Sequence, residues 1–272
     1  MSGERAPPGG ADAVGSNAVH ADPWEDLARL TPARIALGRS GSGLPTREVL
    51  RFAQAHAQAR DAVHATLAED ALTQELRALG CETLRVASAA NGREAYLRRP
   101  DHGRRLSPEA SAHLAALDAR ACDVALIVAD GLCATAAQSH AVNVVAAFLP
   151  HARRQGWKLA PVTIATQARV ALGDEIGAQL KARVAAMLIG ERPGLSSPDS
   201  LGIYVTFDPR PGRNDAQRNC ISNIRGAGLS PEKAAARLGW LVGEMLARRI
   251  SGVELKDGSD LAALAPDPRE GE

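Results

Sequence analysis

Aromatic residues are scarce: three Trp, two Tyr and three Phe in 272 residues. That is too few for the stacking platforms that bind single-stranded nucleic acid. An excess of one charge is lacking as well. Lys and Arg number 32 against 31 Asp and Glu, a formal net charge of +1. No global field is therefore available to draw the chain to nucleic acid or to an anionic membrane. The four cysteines (Cys81, Cys122, Cys133, Cys220) form no C-x-x-C pair and have no histidine at zinc spacing. A metal knuckle is excluded, and four reduced thiols in a cytosolic protein are expected. The longest apolar runs, residues 124–129 and 144–149, are far too short for a bilayer of about 30 Å. The first 23 residues lack a basic stretch followed by an apolar one, so no secretory signal is expected. The P-loop, the G-x-S-x-G nucleophile elbow and the H-E-x-x-H zinc motif are missing too.

What remains is the composition of an ordinary folded protein, 45% hydrophobic and 23% charged. The length suits one or two domains and a large core. Residues 1–22, rich in Gly, Ala, Pro and Ser, read as a disordered leader. Residues 23–106 read as a smaller, mainly helical region. Within it, Gly38 to Gly43 is glycine-rich but not a G-x-G-x-x-G fingerprint, and a mobile loop is expected there. A helix starts at Thr46 with the stripe Val49, Phe52, Ala53, His56, Arg60, Val63 and Leu67. His56 and Arg60 on that stripe read as a buried or interfacial pair, or as polar contacts to a partner subunit.

Residues 107–256 alternate regularly. Strands are predicted there at 124–129, 161–165, 185–189 and 201–207, with one more before the region at 83–86. Helices are predicted from Ser107-Pro108, over 134–149 and 172–182, and from Ser230-Pro231. Such alternation implies an open, mostly parallel, Rossmann-like α/β sheet. Residues 257–272 read as a frayed tail.

Ligands of such sheets bind beyond the carboxyl ends of the strands. That rule marks Asp130-Gly131-Leu132, Gln167-Ala168-Arg169-Val170, Gly190-Glu191-Arg192-Pro193-Gly194 and the stretch from Phe207 to Cys220. Taken singly, each is ordinary. Asp-Gly is a common turn, Glu191-Arg192 a common surface pair, Val170 a packing residue and Cys220 a small hydrophobe. No Cys–His–Asn order supports a cysteine nucleophile. The residues alone point to a small-molecule site without chemistry of its own, as in a cofactor-holding or partner-dependent subunit. A stand-alone α/β transferase and a structural or shell-associated protein are the other readings.

Several motifs in order resemble one family. They are Thr31-Pro32-Ala33-Arg34-Ile35 with Gly38-Arg39, then Arg99-Pro100-Asp101-His102-Gly103-Arg104-Arg105-Leu106, then Asp130-Gly131-Leu132. Gly190-Glu191-Arg192-Pro193-Gly194-Leu195 and Cys220-Ile221-Ser222-Asn223-Ile224 complete the set. Over residues 22–256 the chain resembles the small (light) subunit of ethanolamine ammonia-lyase. Cys133 stands where the resemblance leads one to expect serine.

The resemblance implies an adenosylcobalamin-dependent lyase that converts ethanolamine to acetaldehyde and ammonia by a radical route. It implies pairing with a large, barrel-shaped catalytic subunit in a hetero-oligomer, with the corrin held between the two. Cobalamin contacts are implied at Val170, Glu191 and Cys220, catalytic residues on the large subunit only, and no metal ligand on this chain. The implied location is the cytoplasm, with a bacterial microcompartment as the alternative.

Overall fold

The apolar run expected to be a strand buried on both faces forms the middle of a six-stranded sheet in the computed structural model, which describes His20 and residues 22–259. The expected leader, except His20 and Asp22, and the tail beyond Ser259 lie outside the described residues. The chain divides into two compact units, Met1–Ala57 and Gln58–Glu272.

In the first unit, α1 (Glu25–Ala28) is a single turn. The glycine-rich segment is a loop closed by a turn. Ser40 and Gly43 exchange both backbone hydrogen bonds, at 3.0 and 3.1 Å, and Gly41 takes a positive φ of 60°. Helix α2 (Thr46–His64) begins here and ends in the second unit. Its stripe is not a buried one: Val49 and Phe52 are 49% and 48% exposed. His56 and Arg60 are exposed too, His56 beside the Phe52 ring and Arg60 beside Asp61.

The second unit holds the sheet. Its strands are β1 (Thr83–Ala87), β2 (Cys122–Ala129), β3 (Val162–Thr166), β4 (Ala182–Gly190), β5 (Leu201–Phe207) and β6 (Arg218–Ile224). They lie in the order β1-β3-β2-β4-β5-β6. The helices are α3 (Glu69–Ala78), α4 (Gly92–Arg98), α5 (Pro108–Ala116), α6 (Ala134–Ala136), α7 (Val142–Gln155), α8 (Leu172–Gln179) and α9 (Pro231–Arg248). A π-helical turn, Ala137–Ala141, joins α6 to α7.

Side chains alternate across the strands, as the pleat requires. Val124, Leu126, Val128, Val184, Ala186 and Leu188 pack with α7 and α9 on one face. Ala125, Ile127, Ala129, Ala185 and Met187 pack with Leu114 of α5 and Leu172 and Ile176 of α8 on the other. Ser107 and Ser230 cap α5 and α9, each hydroxyl accepting a backbone N–H from three residues on.

Three expectations need correction. The sheet is mixed: β1, β3, β2 and β4 are parallel, but β5 runs antiparallel to β4 and β6 antiparallel to β5. Residues 191–200 carry no crossover helix, and a parallel partner needs one. The Phe207–Cys220 stretch therefore does not lie at the expected edge. Phe207 pairs with Val184, near the start of β4, and Cys220 is inside a strand the sequence pattern did not reveal. The helix boundaries also move. The segment after β3 ends at Gln179 because Ala182 already belongs to β4, and the helix expected to stop at Leu149 runs through Pro150 to Gln155.

Candidate functional site

The ends of β2, β3 and β4 meet at one edge of the sheet. Asp130, directly after β2, ties them together. Its carboxylate accepts from the backbone N–H of Gly131 (2.8 Å), Gln167 (2.8 Å) and Ala168 (3.0 Å). Arg93 of α4 stands 3.8 Å away. Burial pushes the Asp130 carboxyl up from its usual range, and the three N–H donors and Arg93 oppose that shift. Asp130 is thus a strut between two loops.

Gly131 and Gly190 bring the loops after β2 and β4 into backbone contact. A Cβ on Gly131, which has φ of 56°, would strike the Gly190 carbonyl. A Cβ on Gly190 would strike the carbonyls of Asp130 and Cys133. Only glycine fits at either point. Cys133 is fully buried, and its thiol donates to the Pro198 carbonyl at 3.1 Å.

The Arg99–Leu106 motif supports the loop after β3. Gly103 accepts from the Arg169 N–H at 2.7 Å, and a Cβ there would lie 2.8 Å from the Arg169 side chain. Arg169 stacks over Tyr96 at 4.2 Å, with Arg93 on the same ring at 4.7 Å. The Tyr96 hydroxyl donates to the Ala168 carbonyl at 3.0 Å, and burial pushes its pKa up to about 12.

These loops frame a cleft of about 260 Å³. Leu132, Arg169, Val170, Glu191, Arg192 and Tyr204 all contribute to its wall. Val170 also packs on the core below. Cys220 is not on the wall. It pairs with Tyr204 in the β5–β6 register and is exposed. Two of the three nominated residues thus share one cleft, and the third adjoins it through Tyr204. Sequence reasoning missed Tyr96, Ser200 and Tyr204. Tyr96 and Tyr204 carried a signal as the two tyrosines of the chain, and Ser200 carried none.

Among the described residues, no group of three or more His, Cys, Asp or Glu is arranged to hold a metal ion. None of the described helices is long and apolar enough to cross a membrane. A larger cleft, about 590 Å³, lies between α7 and α9 and includes Trp157, Trp240, His151 and Lys233, but none of the nominated residues.

Residues 21–256 match the family described as ethanolamine ammonia-lyase light chain (EutC). The chain belongs to this family. It is 54% identical over 238 residues to the ethanolamine ammonia-lyase small subunit of Rhodopseudomonas palustris (strain BisA53), covering 88% of this chain and 91% of that one. It is 53% identical over 246 residues to the small subunit of Azotobacter vinelandii, covering 89% and 91%. It is 52% identical over 257 residues to that of Pseudomonas syringae pv. tomato, covering 93% and 90%. Four of the motifs do structural work around the cleft. Asp130-Gly131 and Gly190 join two loops, Arg99–Leu106 supports Arg169, and Cys220–Ile224 forms most of β6.

Proposed function

We propose that this chain is the cofactor-clasping small subunit of a two-component ethanolamine ammonia-lyase, inactive without its large subunit. The observation that carries the reading is the cleft at the strand ends, where Val170 and Glu191 share a wall and Cys220 adjoins it through Tyr204. A volume of about 260 Å³ is below the roughly 300–1,000 Å³ of sites that enclose a ligand. It suits the edge of a large ligand whose other side a partner covers.

The donor set fits a corrin rim. Peripheral amides need acceptors, and Glu191 is a carboxylate, which only accepts when ionised. Amide carbonyls need donors, and the buried Arg169 Nε has no hydrogen-bond partner among the described residues. Val170, Ile189 and Leu132 add apolar surface. When bound, adenosylcobalamin supplies the radical that acts on ethanolamine. The roles assigned to this chain are to bind the ring, orient it toward the large subunit and exclude water from that side. None of its side chains is assigned to substrate or to cobalt.

Partner dependence is supported by the first unit. Trp24 (63%), Leu30 (81%), Leu44 (55%), Leu50 (64%) and Phe52 (48%) are exposed there. Exposed apolar side chains of this kind support the reading that a partner covers them.

The test is co-expression with a candidate large subunit, followed by an acetaldehyde assay with ethanolamine and adenosylcobalamin. Acetaldehyde is expected from the pair and from neither chain alone. Glu191→Ala in the assembled pair is expected to weaken cyanocobalamin binding about tenfold or more, the scale of a lost hydrogen bond to a charged group. Activity of the large subunit alone, or unchanged affinity in the variant, overturns the reading.

A further inference from the structure

Glu191 is not a free surface carboxylate. One of its oxygens is already committed. Ser200, the last residue before β5, donates its hydroxyl to Glu191 Oε2 at 2.6 Å. The Asn223 N–H reaches the same oxygen at 3.4 Å. That N–H is available because β6 carries one extra residue against β5. Leu201 pairs with Ile224, but Ile203 pairs with Ile221. The bulge takes Asn223 out of the ladder, at φ of 60°, and leaves its N–H to the Glu191 carboxylate. Asparagine tolerates that left-handed conformation better than most residues.

The second oxygen lies over Gly202. A Cβ there would stand 2.7 Å from Glu191 Oε1 and 3.2 Å from its Cδ. Gly202 does not have a positive φ, so space rather than torsion calls for glycine. Among the described residues, Oε1 accepts no hydrogen bond. The Glu191 side chain itself lies on the cleft wall.

We infer that Ser200, Gly202 and the Asn223 bulge are positioning residues that hold Glu191 as a preset, single-oxygen acceptor, making the cleft selective for a corrinoid amide over the corresponding carboxylate. The inference rests on the reading of the cleft as a corrinoid surface and deepens it. The physical basis is asymmetric. An amide N–H offered to Oε1 completes a hydrogen bond to an ionised acceptor. A carboxylate at the same point brings no donor and sets two negative charges together in a half-buried site. A site built around one partner rejects the analogue that lacks it more strongly than a loose site does. With Ser200 and the bulge in place, Glu191 cannot swing aside to admit the acid.

The experiment uses the assembled two-subunit complex and equilibrium dialysis, with no turnover. The probes are cyanocobalamin and its derivatives in which one peripheral propionamide is hydrolysed to the acid, each tested separately. The wild-type complex is expected to prefer the amide over at least one such acid by tenfold or more. Ser200→Ala and Gly202→Ala are expected to pull that ratio to threefold or less, and Ser200→Thr, which keeps the hydroxyl, to retain it. The Tm of each complex is recorded, so that a change in the ratio at an unchanged Tm separates positioning from general loosening. A wild-type ratio near one overturns the inference. So does a ratio that stays within twofold of wild type in both alanine variants. Glu191→Ala is measured in parallel. If it leaves cyanocobalamin affinity unchanged, the corrinoid reading itself fails. If it weakens binding while the two alanine variants keep the ratio, only the positioning inference fails.

Discussion

The parallel strands and the antiparallel pair contribute to the site in different ways. Strands β2, β3 and β4 each deliver a loop to the same edge: Asp130-Gly131 after β2, Arg169-Val170 after β3 and Glu191 after β4. Parallel strands must do so, because all their carboxyl ends share one side. The β5–β6 pair delivers no such loop. It contributes side chains from a sheet face, Tyr204 and Cys220, and a backbone N–H from a bulge. The parallel half thus supplies the rim of the cleft, and the antiparallel pair supplies one flank and the support for Glu191. The difference teaches that a site at strand ends can owe its precision to strands that run the other way.

The largest expected effect tests the joint between the halves. Asp174 in the first turn of α8 and Arg218 at the start of β6 form a buried ion pair, each side chain 3% exposed. Asp174→Ala leaves the buried guanidinium with only the exposed Asp215 carboxylate at 3.6 Å and the Arg213 carbonyl, and a loss of about 3 kcal/mol is expected by urea denaturation. A loss under about 1 kcal/mol would mean that the two halves do not depend on this joint.

Next comes Gly190→Ala, within the parallel half. The new Cβ meets the Asp130 and Cys133 carbonyls, and backbone has little room to yield. A cost of about 1–3 kcal/mol is expected, together with weaker cyanocobalamin binding in the complex. Wild-type behaviour on both counts would remove the contact between the loops after β2 and β4 as the base of the cleft.

A pH series sharpens the joint further. Burial raises the Asp174 carboxyl to about 6 against the pull of Arg218. Its unfolded value is about 3.9. Between those values the folded chain binds more proton than the unfolded one. This group's contribution is therefore fully present at low pH and is lost as pH rises from about 4 to about 6. Asp174→Asn is expected to flatten the stability profile in that window. An unchanged slope in the variant would assign the pH dependence elsewhere.

The smallest effect concerns the opposite face. Lys233→Ala, in the larger cleft between α7 and α9, is expected to leave cyanocobalamin affinity in the complex within twofold of wild type. A larger change would shift the binding surface from the strand ends to that face.

Legibility in the sequence followed the same division. β2 and β4 are buried on both faces and read as unbroken apolar runs, so they were visible. β6, Arg-Asn-Cys-Ile-Ser-Asn-Ile, sits at the sheet edge with polar residues on its open face, and it read as loop. The apolar stripe of α2 left open whether this chain or a partner covers it, and Val49 and Phe52 are exposed. Periodicity reports that a helix has an apolar face, not which molecule covers it. Glu191 was legible from its place after a strand. Ser200 was not, because a serine nine residues on carries no local mark of its bond to Glu191.

The sequence by itself determined the parts whose causes are local. It placed the apolar strands, the Ser107 and Ser230 helix starts and the loops after β2, β3 and β4. Its ordered motifs identified the family before any coordinates. Only the tertiary structure decided the direction of β5 and β6, the glycine contact between two loops, the stacking of Arg169 on Tyr96 and the commitment of one Glu191 oxygen. Each of these depends on a hydrogen bond or a steric contact between residues distant in the chain. A strand's local pattern is the same whichever way its partner runs, so pairing direction emerges only when the chain closes on itself.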